Sequence, residues 1–160
     1  MKHLIDDKII TSNSEPRVVD TLIESVISEA DKHFFSTLKS LDIEVEQAEY
    51  IQTIGQGWAY PLQKFMDELQ LLEVIHMKTL TDAAGKRHLF SVPITQHCTK
   101  EQYETLKGEK YIALKCSALS DEVYAVIENP VFYENRKEEI SARVFGTFST
   151  KHPKVERIMA

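Results

Sequence analysis

Cysteine is scarce in this chain of 160 residues: Cys98 and Cys116 are its only two. Two cysteines cannot make a disulfide framework, and they read as buried small hydrophobes rather than as a bridge. They do not suggest zinc either, because His97 and Cys98 are neighbours on an expected strand and point to opposite faces. Apolar runs approaching the ~18 residues of a membrane span are missing. The start MKHLIDDKII also has acids where a signal peptide needs an apolar core. The expectation is a cytoplasmic protein without a membrane partner. Only five glycines occur (55, 57, 85, 108 and 146), in neither a phosphate-cradling nor a dinucleotide-binding pattern. No serine sits in a nucleophile elbow, and the histidines at 3, 33, 76, 88, 97 and 152 include no pair at metal spacing on one helix. Accordingly, no residue is assigned as catalytic, cofactor-binding or metal-ligating.

Excess positive charge is also lacking. Residues 1–80 hold 7 basic and 14 acidic side chains, net −7, and residues 81–160 hold 12 and 11, net +1. Binding to nucleic acid rests on neutralising phosphates, so the overall charge of −6 argues against it. Tyr103, Tyr111, Tyr124, Phe132 and Tyr133 could stack bases, but too few cations lie between them, and packing is the expected role. Six cations and three acids between Arg136 and Arg157 read as a solvated face or a local contact. The adjacent acids Asp6–Asp7 and Glu138–Glu139 read as solvated surface, and His152 as a turn residue.

What is present is periodicity. Ser12 and Glu15 have capping-box spacing, and Val18, Val19, Leu22, Ile23, Val26, Ile27 and Ala30 predict an amphipathic helix over 16–31. A short strand is expected in 38–45 and a short helix over 46–54, ended by Gly55 and Gly57. A helix over 62–77 would bury Leu62, Phe65, Met66, Leu69, Leu72 and Ile75. After a turn at Gly85 come a strand over 88–97, bulged or at an edge because of Pro93, and a Thr99-capped helix over 99–106. An antiparallel hairpin over 110–117 and 122–129 precedes a last helix over 134–146, with Ile140 and Val144 inward. Helices lead and short strands dominate the second half, so the class is α+β with a small sheet curling toward a barrel.

Three stretches are more specific. GQGWAYPLQKFM (55–66), FYENRKEEISARVFGT (132–147) and TKHP (150–153) resemble, in order and spacing, the N-terminal domain of ATP sulfurylase (sulfate adenylyltransferase). The form most resembled is that of the animal bifunctional 3′-phosphoadenosine 5′-phosphosulfate (PAPS) synthases. EVIHMKTL (73–80) and SVPITQHC (91–98) look like the same family's intervening elements. The resemblance implies a PUA-like, partly open β-barrel with flanking helices over 16–160, preceded by an extension over 1–15. It also implies a structural corner at Gly57, Trp58, Pro61 and Phe65, with Trp58 wedged between layers rather than contacting a ligand. Arg136, Arg143 and His152 would face a neighbouring domain.

In the family the reaction joins ATP and sulfate into adenylyl sulfate and pyrophosphate. Its cations and donors come from a Gln-x-Arg-Asn motif and adjacent histidines in a following nucleotide-binding domain. No Gln-x-Arg-Asn occurs in this chain, nor does the phosphate loop of the fused kinase, so the resemblance places no catalytic residue and no cofactor on it. MgATP belongs to the parent enzyme's catalytic domain. That domain is the expected partner in cis or trans, in a parent enzyme that could be a homodimer. The alternative is a stand-alone PUA-like module that binds a protein or, less in keeping with the charge, RNA.

Overall fold

Capping chemistry sets most of the helix starts. The structure is a computed structural model, and it describes residues 27–160. Most of the helix expected over 16–31, together with the extension over 1–15, lies outside the described residues. Ser28 is extended and accepts from the Asp31 amide at 3.2 Å, starting helix α1 at Glu29–Thr37. Reciprocal capping boxes start α2 (Val45–Gly55) from Glu44 and Gln47, α3 (Glu68–Met77) from Asp67 and Gln70, and α4 (Lys100–Leu106) from Thr99 and Gln102.

The chain divides into two compact units. One takes residues up to Lys64 together with Cys98–Val131. Its three-stranded sheet has the order β1 (Ser40–Asp42), β4 (Tyr111–Lys115), β5 (Val123–Glu128), with β1 parallel and β5 antiparallel to β4. Strand β4 buries three successive residues, Ile112, Ala113 and Leu114, as a central strand covered on both faces does. A register shift at Leu114/Lys115 marks a bulge. Phe34 of α1 meets the Tyr111 ring edge-on at 5.7 Å, and Lys39 ties β1's start to the Thr105 carbonyl and Glu109. Cys116 is buried and Cys98 partly so; both are free.

The second unit is Phe65–His97 with Phe132–Ala160. It holds α3, an antiparallel pair β2 (Thr79–Thr81) and β3 (Arg87–Leu89), helix α5 (Lys137–Ile140), a π-helical turn (Ser141–Phe145) and α6 (Pro153–Met159). Leu71, Ile75 and Ile140 form its buried cluster, with Leu72, Tyr133, Val144 and Ile158 packed against them. Each fully buried aliphatic side chain stabilises by about 1.5–3 kcal/mol.

Several expectations need correction. The helix expected from Leu62 begins only at Glu68, because the Asp67–Gln70 box captures the first turn. Leu62 and Met66 are buried outside any helix, the buried face of α3 becomes Leu71, Val74 and Ile75, and Leu69 is 79% exposed. The strand expected over 88–97 is only β3 at Arg87–Leu89, and its partner β2 was not expected. The last helix begins at Lys137 and widens into the π turn, which Gly146 ends at φ 67°. α6 was not expected, only His152 at its N-cap having been read, as a turn residue; Pro153 sits at the first-turn position that proline favours. The α+β class holds. Among the described residues the strands make one sheet of three and one pair, without a closed barrel.

Candidate functional site

Two surfaces carry the residues expected to matter. The first is the corner after α2. Gly57 has φ 76°, a left-handed conformation that glycine adopts without penalty. Backbone bonds from Gly57 to the Ile54 carbonyl, from Trp58 to Thr53 and from Tyr60 to Gly57 fold the chain back on itself, and the Tyr60–Pro61 peptide is cis. Ala59 and Leu62 carry the buried side of this turn. Trp58 does not: it is 78% exposed, which overturns its expected place between layers. In this turn the odd-numbered small residue and the leucine go inward and the indole goes to water. Phe65 is partly buried, lies outside any helix and belongs to the second unit. The corner is therefore Gly57, Trp58 and Pro61 without it.

The second surface is the end of the second unit built by α3, α5, the π turn and α6. Arg136, just before α5, reaches across to α3: its Nη2 and Nε donate to the Glu68 Oε1 at 2.6 and 3.2 Å. Its Nη1 donates to Glu139 Oε2 at 3.2 Å, and the other Glu139 oxygen lies 2.7 Å from His76 Nε2. Four side chains thus run Glu68–Arg136–Glu139–His76 and clip both ends of α3 to α5. His76, followed by Arg136, holds the Glu139 carboxyl below the usual carboxylate range. The Arg136 guanidinium is engaged inside its own unit by Glu68 and Glu139. Tyr133 donates to the Met66 carbonyl at 2.8 Å, and its phenol is pushed up to about 12 by burial, then by Asp67 and Glu68. It is a packing residue and not a base platform.

Arg143 is exposed, and among the described residues no acid pairs with it. Its backbone carbonyl accepts from the Lys78 ammonium at 2.7 Å, closing a carbonyl of the π turn. His152 is exposed, precedes α6 and lies 5.0 Å from the Phe145 ring, centroid to centroid. Of the three expected interface residues, Arg143 and His152 remain outward. In the same unit an open, shallow groove of about 430 Å³ is lined by Glu138, Glu139, Ala142, Phe148 and Met159. The sequence could hint at Arg136–Glu139 through their spacing of three. It held no signal for the long-range partners Glu68 and His76, nor for a groove built from two helices.

Among the described residues no cluster of histidine, cysteine and acid side chains could hold a metal, and no helix is long and apolar enough to cross a membrane. The comparisons with known proteins agree with one another. A model of the PUA-like domain matches residues 11–160. ATP sulfurylase 2 of Arabidopsis thaliana is 27% identical over 139 residues, which is 84% of this chain and 29% of that protein. Sulfate adenylyltransferase of Carboxydothermus hydrogenoformans is 28% identical over 74% of this chain and 30% of its own. Sulfate adenylyltransferase of Psychrobacter sp. is 25% identical over 99% of this chain and 38% of its own. The chain spans about a third of the length of these curated relatives. The likeness first drawn from three short stretches therefore extends over most of the sequence, and the chain belongs to the PUA-like domain family, in the form similar to the N-terminal domain of ATP sulfurylases.

Proposed function

We propose that this chain is the non-catalytic PUA-like part of a sulfate-activating ATP sulfurylase. The observation that carries the reading is the pattern of matches: relatives named as sulfurylases align along most of this chain but along only 29–38% of themselves. The absence of Gln-x-Arg-Asn from the sequence supports placing the adenylyl-transfer chemistry on the other part of such an enzyme. There MgATP and sulfate, both anions, would be held by converging cations. The partner of this chain is then that nucleotidyltransferase part, in cis or trans, within a cytoplasmic enzyme that could be a homodimer. A bifunctional PAPS synthase is the narrower form of the same reading, and a kinase segment in the same reading frame would establish it.

The test is direct. Purified chain supplied with ATP and sulfate should release no sulfate-dependent pyrophosphate above background, and calorimetry with MgATP should show no saturable heat. Formation of adenylyl sulfate by the chain alone would overturn the reading. One observation favours a second function, a stand-alone module that binds a protein: the 78% exposure of Trp58 on the corner after α2. A net charge of −6 weighs against RNA as the ligand. A catalytic domain encoded downstream in the same frame favours the sulfurylase part, and a stop codon favours the module.

A further inference from the structure

Strand β5 is apolar along most of its length yet nowhere fully buried. Val123, Ala125, Val126 and Ile127 are only partly buried, and Tyr124 is 40% exposed. Its neighbour β4 buries three residues in a row, and among the described residues β5 pairs on that one side only. An apolar edge strand of this kind needs a cover, because left open it recruits other strands. Helix α1 packs against β5. Phe34 of α1 meets Tyr111, the register partner of Glu128 at the end of β5, and Glu122 just before β5 acts electrostatically on Lys32. The chain therefore enters α1 beside β5. Ser28 at that entry is extended, so a single helix over 16–31 is interrupted there and a helix before it takes a direction of its own. Ile27, the last apolar residue before the interruption, is already partly buried.

We infer that residues 16–26 of this chain form an amphipathic helix that docks on β5, laying Val18, Val19, Leu22, Ile23 and Val26 over its apolar side chains. Three observations select this occupant. The five residues recur at helical spacing and share one face, with Arg17, Thr21 and Glu24 opposite. A helix this short is marginal in water unless something packs against its stripe. The lengths also agree: residues 16–26 rise about 16 Å as a helix, and the strand Val123–Glu128 extends about 20 Å. Finally, the segment is joined directly to Ile27, and so short a linkage gives it an effective concentration at β5 of about millimolar. The segment is then part of the sheet's packing and not a tail.

The test places the photo-crosslinking residue p-benzoylphenylalanine at Leu22 or, separately, at Thr21 in the full chain. Each protein is irradiated at low and high concentration, and the crosslinked peptides are mapped by mass spectrometry. From position 22 the crosslinks should fall within residues 123–128 of the same molecule at both concentrations. From position 21, on the opposite side of the helix, they should not. A second measurement needs no bulky probe. Leu22→Ser and Val126→Ala should each lower the melting temperature by roughly 3–6 °C, and the double variant should lose less than their sum because the two side chains touch. Thr21→Ser should leave the melting temperature unchanged. The inference is overturned if position 22 marks only other elements of the chain, or if positions 21 and 22 mark β5 equally. Crosslinks to β5 that form only between two molecules at high concentration would also overturn it, in favour of a second copy as the cover. Strictly additive losses in the double variant would rule out direct contact and overturn it as well. None of these readouts measures adenylyl transfer, so this docking and the sulfurylase reading stand or fall separately.

Discussion

Trp58 and Gly57 are neighbours with opposite energetic roles. The indole is 78% in water, so truncating it removes little buried area, whereas Gly57 holds a backbone conformation that a β-branched residue resists. Trp58→Ala should therefore change unfolding free energy by less than about 0.5 kcal/mol, the scale of ordinary surface substitutions. Gly57→Val should cost about 1–3 kcal/mol, because it forces a side chain into a left-handed position. Chemical denaturation of the two variants beside the parent checks both. A loss of several kcal/mol in Trp58→Ala would mean that the indole is covered after all. The glycine was legible in the sequence because a helix ending in two glycines before a proline has to turn. The direction of the tryptophan was not, since which residue of a turn faces inward depends on packing that periodicity does not encode.

Elements show the same division between local and distant causes. α2, α4 and the β4–β5 hairpin were legible because their caps and apolar spacing lie within a few residues of one another. α3 was misplaced at its start because a run of apolar residues from Leu62 continues through a segment that the Asp67–Gln70 box then cuts. The clip joining α3 to α5 could not be read at all, since Glu68 and Arg136 are 68 positions apart. Its worth is modest: both partners are over a third exposed, so solvent screening limits such a pair to about 0–1 kcal/mol, and both guanidinium contacts share one oxygen. Arg136→Ala should thus lower stability only slightly in the isolated chain. Glu68→Gln should reproduce most of that loss, and the double variant should show non-additivity. Arg143→Ala should cost almost nothing in the isolated chain, because among the described residues no acid is paired with it. Joined to a catalytic part, the same Arg143 change should lower domain-packing stability. An equal loss in both contexts would make Arg143 an internal structural residue.

Over the whole chain, the α+β class was legible from the order of periodic segments. The division into two units was not, because it is made by long excursions of the chain that return to earlier segments. Three of the shifted groups bond across to another segment within their own unit, which gives stability a pH signature. Asp42 of β1 accepts from the hydroxyl and amide of Ser117, which hold its carboxyl below the usual range. For Glu73 of α3, burial pushes the carboxyl up, but the Thr81 hydroxyl and amide and the Thr79 hydroxyl outweigh it and the net shift is downward. Lowered folded-state values mean that the unfolded chain takes up protons first. Their stabilisation is therefore complete above the ordinary carboxylate values of 3.8 and 4.5 and is lost as pH falls below them. Tyr133 acts at the other end: its phenol is raised from 10.0 to about 12, so the unfolded chain releases that proton first and stability falls as pH rises between those values. The melting temperature should accordingly stay level between about pH 5 and 9 and fall on both sides. Tyr133→Phe should lose about 1 kcal/mol at neutral pH with the hydrogen bond to Met66, and should make the alkaline limb shallower, the remainder belonging to the Cys98 thiol that burial pushes up, while leaving the acid limb unchanged. Thermal melts of both proteins across that range decide it, and an alkaline limb of equal steepness in the variant would show that Tyr133 does not set it.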